Sequence, residues 1–229
     1  MNNNTSLESI KHTLQDSDWS VRNQAVKKLA QHQEETSLEI VLKIIKDQRP
    51  AIWWRSLLGD PYFQVGFIRR NAWRSVQAIG LYSEELLDCY KISLDDPYYE
   101  VRSVCLDTLW KHCNHNSNIL DKDLKATLRH GLWMESNIDI CLSLIPFTPL
   151  VIESEEIFIL AARYLTMKHW RIRSAFIDIL IDIAQEKPEY HNRIQNVLNS
   201  AHLMSEYFRP VFQLKLKQAE LQEIINEAS

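Results

Sequence analysis

Apolar residues along the chain recur three and four positions apart and seldom alternate. Leu7, Ile10 and Leu14 share one helical face, as do Leu38, Val41, Leu42 and Ile45. The same spacing runs through Leu86, Leu87 and Tyr90, through Leu124 and Leu128, through Ile157, Leu160, Ala161 and Tyr164, and through Ile194, Val197, Leu198 and Ala201. A period of 3.6 residues predicts helices, not strands. After each of these stripes comes a second one with a recurrent opening. Val21-Arg22 leads to Ala25 and Leu29, Ile68-Arg69 to Ala72 and Val76, Val101-Arg102 to Cys105 and Leu109, and Ile172-Arg173 to Phe176 and Leu180. Ile138-Asp139 with Leu142, and Phe208-Arg209 with Phe212 and Leu216, are looser copies. The openings stand at 21, 68, 101, 138, 172 and 208, so the intervals are 47, 33, 37, 34 and 36 residues. Thr5 with Glu8 and Thr36 with Glu39 have capping-box spacing, and Ser83 and Ser154 precede acidic first turns.

The repeating unit is therefore a helix A, a tight turn and a helix B. Neither helix can bury its stripe alone, so successive pairs must stack on one another. The spans are approximately 5–31, 36–80, 83–113, 121–147, 154–186 and 190–227, read as one domain over 1–229. The fourth copy carries Asp139 at the Arg position and Pro146 near its helix end, which predicts a distortion there. The last helix, with Phe212, Leu216, Leu221, Ile224 and Ile225, is expected to cap the array.

Asp16…Val21-Arg22…Ala25…Leu29 and Asp96-Pro97…Val101-Arg102…Cys105…Leu109 resemble HEAT repeats, particularly the short prokaryotic and phycobilisome-lyase type. The resemblance implies an all-α fold: a right-handed α-solenoid of about six helix pairs, in which the Asp and Arg link neighbouring turns. It says little about function.

Composition agrees with helices joined by short connections, since the chain has only 4 Gly and 7 Pro. The net charge of −4 argues against nonspecific phosphate binding. Cys89, Cys105, Cys113 and Cys141 form no CxxC pair and read as small buried hydrophobes. His112, Cys113 and His115 are spaced too tightly for one metal ion, so no metal and no cofactor is expected. The N-terminus lacks a signal-peptide pattern and no segment is apolar enough to span a membrane, so a cytoplasmic chain is expected. No GxSxG, GxxxxGK[ST], HExxH or GxGxxG occurs, and no catalytic residue is assigned.

Two surfaces stand out. Exposed positions of the B helices carry Asn23 and Lys27, Arg70 and Arg74, Asp107 and Lys111, then Asp178 and Asp182, running from basic towards acidic. The long interval holds an insertion at about 48–66 in which Trp53, Trp54, Arg55, Tyr62 and Phe63 crowd together. Aromatics mixed with Arg have the composition of interface hot spots, while the alternative is that the insert folds back over an apolar edge. Trp73 is expected to pack, and the aromatics two before an opening (Trp19, Tyr99, Trp170) to pack between turns.

A protein-binding adaptor, scaffold or inhibitor follows, with another protein as partner. An immunity protein that neutralises a basic nuclease is a narrower form of that role. The alternative is a HEAT-like alkylbase DNA glycosylase. It ranks lower because no Trp is followed by Asp and the net charge has the wrong sign for DNA. A bilin lyase or chaperone is a third, minor reading.

Overall fold

The computed structural model describes residues 6–16, 18–47, 61–205 and 212–227. The side chains of 61–65, 117, 154, 201–205, 212–216 and 227 lie outside that description. All regular structure among the described residues is helical. The helices are α1 (Leu7–Thr13), α2 (Trp19–Leu29), α3 (Glu35–Lys46), α4 (Pro61–Ile79), α5 (Glu85–Leu94) and α6 (Tyr99–His115). They continue as α7 (Lys122–Met134), α8 (Ile138–Leu144), α9 (Thr148–Val151), α10 (Ser154–Leu165), α11 (Trp170–Glu186), α12 (His191–Ser205) and α13 (Phe212–Glu227). Contacts divide the chain into two compact units, Met1–Leu124 and Lys125–Ser229.

Within the first unit, α2, α4 and α6 stack in succession. Helices α1, α3 and α5 lie against α2, α4 and α6 respectively, and α3 also touches α5. The unit is thus two layers, one of A helices and one of B helices. The expected stripes supply its core: Ala25, Leu29, Val41, Ile45, Ala72, Val76, Leu86, Val101, Cys105 and Leu109 are all buried. Trp73 packs as expected, with no exposed surface. In the second unit α11 neighbours both α8 and α13, and α10 packs on α11 and α12. Leu221 and Ile225 of α13 are buried there. The predicted distortion is present: α8 stops at Leu144, a 3-10 turn carries Pro146, and the short α9 follows.

Several start signals resolve differently from the sequence reading. Ser6, not Thr5, caps α1 by accepting from the Ser9 amide, and Thr5 itself is outside the described residues. Thr36 lies inside α3, whose cap residue is Glu34, and the caps of α5 and α10 are Glu84 and Glu153 rather than Ser83 and Ser154. Each shift is one or two residues, the usual uncertainty of a helix end.

A more consequential difference concerns Arg69. Arg22 and Arg102 each reach back six residues, donating from Nη1 to the carbonyl of Asp16 and of Asp96, at 2.7 Å in both cases. The same two aspartates accept the amide two residues on, at 2.8 Å from Asp18 and 2.9 Å from Tyr98. In these two copies the Val-Arg phrase is a local clasp within one repeat. Arg69 does something else: it crosses to the next repeat, its Nε and Nη2 donating to Asp96 at 2.5 and 3.0 Å. The reason can be read in the chain. Residues 60–66, DPYFQVG, copy residues 96–102, DPYYEVR, so Gly66 and not Arg69 stands where Arg102 stands. Arg69 then falls, 36 residues earlier, at the buried place of Cys105. Helix α4 accordingly begins at Pro61, so 61–66 belongs to the repeat and not to the insertion.

Gly66 is required there by contact. A Cβ on it would come within 2.6 Å of the Tyr98 ring. At the other end of α4, Gly80 takes φ +70°, the left-handed conformation that stops the helix cheaply.

Both side chains of the Arg69–Asp96 pair are fully buried. Removing one partner leaves an uncompensated interior charge. Asp96→Ala is expected to cost about 3–5 kcal/mol, read as a lowered urea midpoint, whereas Asp16→Ala at the equivalent exposed site should cost under about 1 kcal/mol.

Candidate functional site

The B helices of the first unit present one continuous outward strip. On α4 the residues facing the core are Ala72, Trp73, Val76 and Ile79, which leaves Phe67, Arg70, Arg74 and Gln77 on the opposite side. Two hydrogen bonds fix the neighbouring helix in register. Asn71 Nδ2 donates to Asn23 Oδ1 at 2.7 Å, and Ser75 Oγ to the Val26 carbonyl at 2.9 Å. The offsets are 48 and 49 residues, so α2 and α4 run parallel, with Lys27 and Arg74 at about one level. Both are exposed, and neither makes a hydrogen bond or ion pair with another described residue.

Arg70 is held tightly. Its Nη1 donates to Glu100 Oε2 of α6, and its guanidinium carbon lies 4.7 Å from the centre of the Phe67 ring. Burial works against the Glu100 charge, but hydrogen bonds from Arg70 and Tyr98, with Arg74 nearby, outweigh it and hold the carboxyl below its ordinary range. The Tyr98 phenol is in turn pushed up to about 12 by burial and by that carboxylate. Further along α6, Asp107 and Lys111 are exposed. Asn23, Lys27, Arg70, Arg74, Asp107 and Lys111 therefore lie on successive helices of one unit. Glu100 and Tyr98 were not singled out from sequence. The near copy DPYFQVG/DPYYEVR was the available signal, because it sets α4 and α6 side by side.

In the second unit, Asp178 forms an ion pair with Lys217 of α13. Asp182, one turn on, is exposed. Burial, then Asp178 and Glu186, raise its carboxyl above the usual value. Trp53, Trp54 and Arg55 fall outside the described residues, and Tyr62 and Phe63 lie on α4 with side chains outside the description. Of the aromatics two before an opening, Trp19 and Trp170 are half-buried, and Tyr99 is 38% exposed with its ring edge-on to Tyr98. They sit at helix starts, where the core stripe has not yet begun.

His112 is a core residue. Its Nδ1 lies 2.6 Å from the Tyr90 hydroxyl, and Tyr90 stacks on Trp73, whose Nε1 donates to Ser93 Oγ at 2.9 Å. Tyr82 meets the His112 ring edge-on, with centroids 5.7 Å apart. Among the described residues, no three His, Cys, Asp or Glu are placed to hold a metal ion. Among them too, no helix is long and apolar enough to cross a membrane.

Burial pushes the thiols of Cys89, Cys113 and Cys141 up to about 11, and raises that of the fully buried Cys105 well above its ordinary value. All four should resist a thiol reagent at pH 8 in the folded chain and react once it is unfolded in guanidinium. A fast-reacting thiol in the folded chain would contradict the packing.

Burial, followed by the positive charge of His115, lowers the His112 pKa below its ordinary 6.5. The unfolded chain then takes up a proton more readily than the folded one. Stability at this site is intact above pH 6.5 and declines as the pH falls below it. Urea midpoints at pH 7.5 and 5.5 should differ more for the native chain than for His112→Gln, which keeps an acceptor for Tyr90.

No family model matches the chain, and no curated protein is similar to it. What distinguishes this surface chemically is the contrast on α4 between a neutralised arginine and an unneutralised one.

Proposed function

We propose that the chain is a protein-interaction module built from HEAT-like helix pairs, acting as an adaptor, scaffold or inhibitor. Its contact surface is the outward strip of α2, α4 and α6. The stacking of A and B helices in each unit supports the solenoid-type reading, because such stacks present a long rigid face made of successive helices. The observation that carries the binding role is the strip itself. Arg70 is held by Glu100 and stacks on Phe67, and the three helices of the strip carry the exposed charges Lys27, Arg74, Asp107 and Lys111. A preorganised aromatic and arginine centre with a polar rim is the composition of a binding hot spot.

The test is capture from host lysate treated with nuclease, using the native chain, Asp107→Trp and Glu189→Trp. Asp107→Trp places a bulky ring on the strip, and Glu189→Trp places one on the other unit. A stoichiometric protein that survives nuclease, is lost with Asp107→Trp and is kept with Glu189→Trp is the expected result. Capture that disappears with nuclease, or that ignores Asp107→Trp, overturns the reading.

A further inference from the structure

The strip offers more than a generic face, because its charges are unevenly satisfied. Helix α4 carries Arg69, Arg70 and Arg74. Arg69 is consumed in the interior by Asp96, and Arg70 by Glu100. Arg74 lies one turn after Arg70 on the same side, exposed, with Lys27 of α2 at its level; among the described residues it makes no hydrogen bond or ion pair, and Glu100 acts on it only through its field. Asp107 is two turns beyond Glu100 on α6, and Lys111 follows it one turn later. The strip therefore has a cationic sector formed by Arg74 and Lys27, bordered by an arginine whose guanidinium is already stacked on Phe67 and aimed at a carboxylate.

We propose that this sector is the receptor for carboxylates of an acidic peptide segment on the partner protein, and that Glu100 is an internal competitor for the same arginines. The inference rests on the interaction-module reading and specifies the chemistry of the partner. Arg74 takes an incoming Asp or Glu by a forked, charge-assisted contact, Lys27 adds a second point charge, and Phe67 forms the apolar border. Glu100 keeps Arg70 oriented while the site is empty. Its negative charge also repels the acidic segment, so neutralising it without changing its shape strengthens binding.

The probe is a fluorescein-labelled hexa-glutamate peptide, measured by fluorescence anisotropy at low salt, with hexa-lysine as the charge-reversed control. Arg74→Ala is expected to weaken hexa-glutamate binding about fivefold or more and Lys27→Ala about twofold, both effects shrinking as salt is raised. Glu100→Gln is expected to tighten it about threefold, the opposite direction to any variant that merely disturbs the fold. Arg74 and Lys27 are exposed, and unchanged helical circular dichroism in their variants excludes unfolding as the cause. Hexa-glutamate affinity that ignores Arg74→Ala, weakening by Glu100→Gln, or displacement of hexa-glutamate by a twelve-residue oligothymidylate at lower concentration than by unlabelled peptide each overturns the proposal. If hexa-glutamate fails while Asp107→Trp still abolishes capture of a cellular protein, the acidic-partner inference falls and the interaction module stands. If Asp107→Trp also has no effect, both fall.

Discussion

Because the Arg69 guanidinium is sealed between α4 and α6, its charge has to be met inside the protein, and Asp96 is the group that meets it. That carboxylate also accepts the Tyr98 amide, and the carbonyl of the same residue accepts Arg102. One residue thus joins the end of α5, the start of α6 and the middle of α4. A buried pair of this kind adds little net stability over apolar side chains of equal volume, since two ions have been taken from water. What it fixes is register. Asp96 can satisfy Arg69 only if α4 and α6 sit at one relative height, and that height brings Gly66 against the Tyr98 ring and Arg70 to Glu100.

Aromatic residues on the A helices make a second kind of link. Tyr90, in α5, stacks on Trp73 at 4.9 Å and directs its hydroxyl to His112. Tyr164, in α10 of the other unit, stacks on Phe176 at 5.0 Å and donates to the Leu132 carbonyl at 3.0 Å. In both, a buried ring supplies apolar area while its hydroxyl ties down a polar group that would otherwise be orphaned. The two phenols are consequently held protonated, burial raising both far above the ordinary value. Their polar ends serve packing.

Helix content and the buried stripes were legible in the sequence because a 3.6-residue period is a direct image of which face is covered. Leu38, Val41, Leu42 and Ile45 are all buried, as are Ile157, Leu160, Ala161 and Tyr164. The clasp was half legible. Val-Arg marks where an arginine can reach back to a carbonyl, but three residues separate Ile68-Arg69 from the true copy at Val65-Gly66, and apolar pattern alone does not distinguish the two. A buried arginine mimics an exposed one in any such pattern, because its partner lies 27 residues away. The strip was less legible still. Which charges are neutralised depends on pairs such as Arg70 with Glu100, 30 residues apart, and that distance carries information only after the helices are set in register.

The three arginines of α4 show how register turns sequence into surface chemistry. Neighbouring positions on a helix point about 100° apart, so Arg69 and Arg70 cannot share an environment, whereas Arg70 and Arg74 must share a face. Arg69 points into the seam with α6 and is used for assembly. Arg70 points along the edge of that seam, where one carboxylate from α6 can still reach it. Arg74 sits one turn farther on. The corresponding residue of α6, one turn past Glu100, is Val104 and offers no charge. Glu100 reaches Arg70 by a direct hydrogen bond and Arg74 only through its field, so one turn of height separates a structural from an available arginine on this helix. Arg74 keeps an exposed guanidinium beside a fixed one, on a scaffold whose register is locked beneath it by Asp96.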